Sequence, residues 1–237
     1  MKYILTATGI AVAIGGMAWG VLTATELPVS ETEYVDITVV PQSTQQASLY
    51  FSTELAESKQ TTLLFGGDVM LSRGINDVMR KHNDFFYPFR RINDLTAEAD
   101  IAVVNLEGPI SSQGENRGSI YSFRADPRAI VGLIFAGIDV VTLANNHTGD
   151  YGPEALSETL EFLRWAEIDV VGAGVDMDDA RKARFLEVND LKIAFLGTTP
   201  LSPLWLTRSD SMPAVAPFDE QLMMEDIATA RKQGADI

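Results

Sequence analysis

Short apolar strands alternate with amphipathic helices from Thr61 onward, and this alternation predicts an α/β fold. The candidate strands cover residues 62–66, 101–104, 139–143, 169–171, 184–188 and 192–196. The last two flank Asn189-Asp190, a pair suited to a tight hairpin turn, so we expect part of the sheet to be antiparallel. With 237 residues, 46% of them hydrophobic, the chain has room for one sizeable core.

Helices are predicted between these strands from the spacing of apolar residues. Pro153 suits the first turn of a helix, and three leucines at helical spacing follow it. The segment 88–99 repeats the pattern with Ile92 and Leu95, and residues 217–233 form a further candidate helix. The remaining residues, 234–237, resemble a turn into another strand, so we expect the fold to be incomplete at its carboxyl end. The alternative is a short tail that frays.

The amino-terminal segment is predicted to be a targeting sequence. Lys2 is followed by an uncharged stretch that reaches Glu26. Its length lies between that of a cleaved secretory signal and that of a membrane-spanning helix. Residues 1–25 are therefore interpreted as a signal-anchor or a signal peptide, and a buried soluble helix is the remaining alternative. Both favoured interpretations export the rest of the chain, either tethered to the cell membrane by a single span or secreted.

The remaining sequence divides into a polar tether and a domain. Residues 26–60 are rich in Ser, Thr, Gln and Glu, a composition typical of a linker, and residues 61–237 form the predicted domain.

Charge and cysteine content limit the possible ligands. The chain carries 33 acidic and 18 basic side chains, a net charge of −15, which repels nucleic acid and argues against it as a partner. There is no cysteine, so disulfides and thiolate metal sites are excluded. Any bound metal ion must be held by oxygen and imidazole ligands.

Polar residues follow three of the predicted strands at their carboxyl ends, where open α/β sheets bind ligands. The first group is Gly66-Gly67-Asp68. Asp68 is either a metal ligand or a cap for a helix that begins near Ser72. Arg73 could bind an anionic ligand or only a neighbouring carboxylate.

The second group is Asn105-Leu106-Glu107. Because strand residues alternate between faces, Asn105 and Glu107 leave the strand on one surface. Carboxylate oxygens suit a hard divalent cation, whereas the alternative is a helix cap or a solvated loop glutamate.

The third group, Asn145-Asn146-His147-Thr148-Gly149-Asp150, is the strongest signal. A buried strand delivers two amides, an imidazole and a carboxylate into one loop, which is costly unless something binds them. An amide oxygen can coordinate a metal ion, and an imidazole exchanges protons near neutral pH. The alternative is a purely structural loop in which Asp150 orients His147. The second histidine, His82, lies in a charged run and is expected to be solvated.

Taken in order, the strings Gly-Gly-Asp68-Val-Met-Leu, Val-Val-Asn105-Leu-Glu107-Gly and Ala-Asn-Asn146-His147-Thr-Gly-Asp-Tyr-Gly resemble the CapA family of poly-γ-glutamate capsule-synthesis proteins. That family belongs with the calcineurin-like metallophosphoesterases. The resemblance covers the chain from about Thr61 onward and implies a calcineurin-like sandwich, with helices outside two facing sheets.

The resemblance also implies the roles of individual residues. Metal ligands would be Asp68, Glu107 and Asn146, which would hold a divalent ion such as Mn, Fe, Zn or Mg. His147 and Asp150 would be catalytic. The candidate substrate contacts are Arg73, Asn105 and Asn145.

The sequence departs from the phosphoesterase pattern at two places. Met70 occupies the histidine position of the usual Asp-x-His motif, and a thioether is a poor ligand for a hard cation. The later His-x-Gly-x-Glu motif has no counterpart here. A two-metal site therefore cannot be completed from these residues alone.

Our leading hypothesis is a metal-dependent, phosphoesterase-like hydrolase that acts outside the cell on an anionic polymer or phosphoester during capsule or envelope polymer synthesis. The alternative is a non-catalytic, membrane-anchored factor that holds the polymer or polymer-synthase subunits. A third possibility is an inactive fragment.

Overall fold

The main sheet contains strands that lie between residues 3 and 171 of the chain. The structure, a computed structural model, describes residues 60–118, 120–201, 206 and 212–237, and the backbone of residues 3–6, 20–26 and 34–41. The strands of this sheet are β1 (Tyr3–Thr6), β2 (Gly20–Glu26), β3 (Tyr34–Pro41), β4 (Thr61–Val69), β5 (Ile101–Leu106), β6 (Val140–Thr142) and β7 (Asp169–Val171). Their order in the sheet is β1-β3-β2-β4-β5-β6-β7.

The part of the sheet from β4 to β7 is parallel, whereas β1, β2 and β3 pair antiparallel. Two small antiparallel sheets accompany it. One joins β8 (Ala173–Gly174) to β11 (Ala214–Val215), and the other is the hairpin of β9 (Arg184–Val188) and β10 (Leu191–Phe195). Asn189 and Asp190 form its turn with φ values of 50° and 70°, which a twisted two-residue hairpin requires. The predicted α/β class and the predicted hairpin are confirmed.

The helices are α1 (Arg73–His82), α2 (Asn93–Ala97), α3 (Ile130–Phe135), α4 (Gly152–Trp165), α5 (Met177–Arg181) and α6 (Glu220–Lys232), with a 3₁₀ turn at Pro127–Ala129. The helix predicted after Pro153 is confirmed, because the leucines of α4 face the core. The helix predicted over 88–99 is wrong in extent, since α2 begins only at Asn93. Leu95 is exposed, and Phe89, earlier in the segment, is buried in its place.

Two apolar clusters cover the two faces of the parallel strands. On one face, alternate residues of β5, Ala102, Val104 and Leu106, pack with the leucines of α3 and α4. On the other face, Leu63, Ile101, Val103, Val140 and Val171 pack with Ile193 and Phe195 of the β9–β10 hairpin. The parallel strands are therefore covered by helices on one side and by a small antiparallel sheet on the other, which accounts for their almost continuous apolar character.

Parts of the amino-terminal predictions lie outside the described residues, namely 1–2, 7–19, 27–33 and 42–59. The signal segment over 1–25 and the tether over 26–60 stay predictions. In the described parts of the chain, no helix is both long enough and apolar enough to cross a membrane.

Residues 236 and 237 lie along the edge of β10. The backbone N–H of Asp236 donates to the carbonyl of Lys192 at 2.7 Å, and Ala194 donates to the carbonyl of Ile237 at 2.9 Å.

Candidate functional site

A one-residue bulge in β4 decides which way Asp68 faces. Phe65 pairs with Val103 and Asp68 pairs with Asn105, so three steps along β4 oppose two steps along β5. In a regular pairing of the same sequence, without the bulge, Gly67 would pair with Asn105, and Asp68 would face the opposite side of the sheet. The bulge therefore places the Asp68 carboxylate beside the Asn105 side chain.

Asp68 begins a chain of hydrogen bonds that crosses the carboxyl ends of three strands. Asn105 Nδ2 donates to Asp68 Oδ1 at 2.7 Å. Asn145 Nδ2 donates in turn to Asn105 Oδ1 at 2.9 Å. The alternative in which Asp68 caps α1 is not what the structure shows, because its carboxylate is held by Asn105.

Asn145 anchors the loop that follows β6. The residue is only 7% exposed, and its Oδ1 accepts from the backbone N–H groups of His147 and Thr148 at 3.0 and 3.1 Å. Its Nδ2 also donates to the carbonyl of Leu106 at 2.9 Å. These bonds occupy both amide hydrogens and the amide oxygen, which argues against the predicted direct contact with substrate.

His147 is held between Asp150 and Glu107. Its Nδ1 lies 2.8 Å from Asp150 Oδ2, and its Nε2 lies 3.8 Å from Glu107 Oε1. A carboxylate accepts hydrogen bonds, so Nδ1 carries the hydrogen and the lone pair of the neutral ring is on Nε2. The proton-exchanging nitrogen of His147 therefore faces Glu107.

Phe123 supports both His147 and Asp150. Its ring centroid lies 4.0 Å from that of His147, and its backbone N–H donates to the buried Asp150 Oδ2 at 2.8 Å. Gly108 permits this approach, because its φ is 96° and a Cβ there would lie 2.7 Å from Phe123 Cβ. No local sequence pattern indicates this role, since Phe123 and Asp150 are 27 positions apart.

The remaining predicted residues lie at the exposed side. Asn146 is exposed, and within the described part of the chain its side chain makes no hydrogen bond. Arg73, at the start of α1, is also exposed, and its guanidinium carbon lies 5.5 Å from the Tyr121 ring centroid and 6.0 Å from that of Phe123. His82 is exposed, as predicted.

Negative charge accumulates around Glu107. Burial raises the pKa of the Glu107 carboxyl above its usual value, the charges of Asp68 and Asp150 raise that pKa further, and His147 opposes them. A bound cation would relieve this repulsion, and the available donors are carboxylate, amide and imidazole, which suit a divalent ion. Among the described residues, however, no group of three or more His, Asp or Glu side chains is already arranged to hold a metal. These donor groups suit a metal ion. To surround one, the side chains would have to move, or the Asn146 amide would have to serve as a further ligand.

The raised pKa of Glu107 predicts a pH-dependent effect of Glu107→Gln. Between its ordinary pKa and its raised pKa, Glu107 is protonated in the folded protein but ionised in the unfolded chain. The contribution of this proton to the free energy of unfolding is present at low pH and is lost as the pH rises through the raised pKa. Glu107→Gln removes the titration, and the variant should be more stable than the wild type at pH 8, with a smaller difference at pH 4.5. Urea unfolding at both pH values, with EDTA present, measures it. Glu161→Gln on the exposed face of α4 is the matched control, and identical pH profiles for Glu107→Gln and wild type would contradict the prediction.

Comparison with known proteins gives a consistent result. The family model described as "Bacterial capsule synthesis protein PGA_cap" matches residues 62–237. The chain is 24% identical over 188 residues to "Capsule biosynthesis protein CapA" of Bacillus anthracis, covering 76% of this chain and 46% of that protein. It is 28% identical over 177 residues to "PGA biosynthesis protein CapA" of Bacillus subtilis, covering 73% and 46%.

A probable polyglutamine synthesis accessory protein of Mycobacterium tuberculosis is 28% identical over 171 residues, covering 58% of this chain and 45% of that protein. The chain thus spans about half the length of the curated relatives it matches.

Proposed function

Because the chain belongs to the family of bacterial capsule synthesis proteins, we propose that it takes part in making an anionic envelope polymer such as poly-γ-glutamate. The names of its relatives support this proposal, since they refer to capsule, PGA or polyglutamine synthesis. Residues 1–25, as a signal or anchor, would place the domain outside the cytoplasm, where such a polymer accumulates.

The activity that we propose is metal-dependent hydrolysis of a phosphoester-like or polymer substrate. One observation carries it: Asp68, Glu107 and His147, from the ends of three adjacent parallel strands, meet at one edge of the sheet. A purely structural role does not require this convergence, because carboxylates that repel one another at the strand ends make the sheet less stable. The helices on one face and the hairpin on the other support the further proposal of a calcineurin-like sandwich.

The chain's own residues supply the binding and proton-transfer functions. Asp68, Glu107 and the exposed Asn146 amide would hold the divalent ion. When bound, that ion would polarise the substrate oxygen and lower the pKa of a water molecule. Asp150 holds the Nδ1 hydrogen of His147, which leaves Nε2 to give a proton to a leaving oxygen or to take one from water. Once protonated, the imidazolium is stabilised by Asp150 on one side and by Glu107 on the other.

Metal binding to the full chain tests this proposal. After treatment with EDTA and dialysis, titration with Mn²⁺ should show a saturable site, because the repelling carboxylates favour a cation. Asp68→Asn should weaken the affinity by at least about tenfold, since it removes one full negative charge from the site. Isothermal titration calorimetry measures both.

Asp77→Asn is the matched control, because Asp77 is an exposed aspartate of α1 and the chemical change is the same. Equal Mn²⁺ affinity of the Asp68 and Asp77 variants would count against the site, as would the absence of binding to the wild type.

A second candidate function is a non-catalytic factor that holds the polymer or a polymer-synthase subunit. It is favoured by the lack, among the described residues, of three acidic or histidine side chains already placed around one metal position. This candidate predicts that the chain retards a γ-glutamate polymer in a native gel without binding Mn²⁺.

A further inference from the structure

Arg73 has an unfavourable backbone conformation beside the site. Its φ is 53°, in the left-handed region that residues other than glycine rarely adopt. It directly follows the buried Ser72 and opens α1, and such conformations persist only where surrounding structure enforces them. The backbone therefore directs the Arg73 side chain in a way that an ordinary first helical turn would not.

Two aromatic rings hold the guanidinium group of Arg73. Its central carbon lies 5.5 Å from the ring centroid of Tyr121 and 6.0 Å from that of Phe123, within the range of cation–π attraction. The Phe123 ring also lies against the imidazole of His147, at 4.0 Å between centroids. Arg73 and His147 thus share Phe123 as an aromatic neighbour. The Arg73 guanidinium carbon therefore lies no farther from the His147 ring centroid than 6.0 Å and 4.0 Å combined.

The charge of Arg73 is not used in an ion pair among the described residues, although the chain carries 33 acidic side chains. Other arginines do form such pairs: Arg80 with Asp126, Arg90 with Asp84, Arg181 with Asp226 and Arg184 with Asp179. An arginine that is fixed by rings keeps its planar set of N–H donors available for an external oxyanion.

We propose that Arg73, with Tyr121 and Phe123 as its support, binds an oxyanion group of the ligand next to His147. The ligand group is a carboxylate or a phosphate, because both have oxygens that pair with the guanidinium fork. The inference rests on the proposed function for the chemistry at His147, but the anion binding itself needs neither metal nor turnover.

Binding of two probes to the full chain tests the proposal. The probes are a synthetic γ-linked glutamate pentamer and inorganic phosphate, titrated calorimetrically in EDTA and again in Mn²⁺. We expect Arg73→Ala to weaken the binding of at least one probe by about 10- to 100-fold, the loss of a charge-assisted hydrogen-bond pair. Arg73→Lys, which keeps the charge but not the planar fork, should give an intermediate loss of about threefold to tenfold.

Arg73→Gly separates charge from backbone conformation. Glycine adopts a φ of 53° without strain, so this variant should unfold at an equal or higher urea concentration and still lose binding. Arg80→Ala is the matched control, because Arg80 lies on the same helix, is largely exposed and pairs with Asp126. It should bind both probes as the wild type does.

The two probes also distinguish the sources of the oxyanion. A loss confined to the pentamer identifies a carboxylate ligand, and a loss confined to phosphate identifies a phosphate ligand; both support the inference. Wild type that binds neither probe, or Arg73→Gly that binds both as wild type does, would overturn it. Arg73-dependent binding in EDTA without any Mn²⁺ binding would support this inference while rejecting the hydrolase proposal, so the two fail separately.

Discussion

His147→Asn should lower hydrolysis of a generic phosphodiester by about 10²- to 10⁴-fold, the usual contribution of a positioned acid or base. The variant loses the Nε2 atom that faces Glu107, and asparagine is small enough to fit beside Phe123 without overpacking. Initial rates with bis-p-nitrophenyl phosphate in Mn²⁺, measured for the purified chain between pH 5 and 9, give the comparison.

The control is His82→Asn, because the sequence contains two histidines and His82 is exposed at the end of α1. It should hydrolyse the substrate as the wild type does. If His147→Asn does so as well, the proton-transfer role assigned to His147 is incorrect. If the wild type shows no turnover above a no-enzyme blank, the non-catalytic candidate is favoured.

Asn145→Ala is expected to destabilise the fold by about 3–5 kcal/mol, because it leaves several buried polar groups without partners. The carbonyl of Leu106 loses a donor and two backbone N–H groups lose an acceptor, whereas the Thr148 hydroxyl keeps the carbonyl of Leu143 as its acceptor. Asn105 also loses the bond that orients it toward Asp68. Urea unfolding measures the loss of stability, and Mn²⁺ titration under native conditions should show weaker binding.

The adjacent Asn146 provides the matched control, since it is the same residue type but exposed. Asn146→Ala should change the free energy of unfolding by no more than about 0.5 kcal/mol. It should nevertheless reduce Mn²⁺ affinity if its amide is a ligand. Similar stabilities for the Asn145 and Asn146 variants would show that the hydrogen bonds of Asn145 contribute little.

The convergence of the site could be predicted from the sequence because parallel strands end at a common edge. Asp68, Glu107 and His147 each follow a predicted strand, and β4, β5 and β6 proved to be neighbours. The pairing of Asp150 with His147 was also foreseen, since the two residues lie three positions apart in one loop. These predictions needed only local pattern and a general rule of α/β sheets.

The difference in burial between the two adjacent asparagines could not be predicted. Alternation between faces holds within a strand, but β6 ends at Thr142 and the loop beyond it has no fixed period. Both Asn145 and Asn146 were therefore candidates for ligand contact, and the structure buries the first and exposes the second. The contributions of Phe123 and Tyr121 were missed for a related reason, because contacts between distant segments leave no local pattern.

The bulge in β4 has a consequence for how a site of this kind could be lost. If substitutions at Gly66 and Gly67 enforced a regular strand of the same length, every residue up to Phe65 could keep its partner in β5 and residue 67 would pair with Asn105. Asp68 would still be present in the sequence, but its carboxylate would turn toward the helices and away from Asn105. Such a protein would retain the recognisable aspartate in any alignment and yet lack its carboxylate beside Asn105, so the two glycines before this aspartate carry as much information as the aspartate itself.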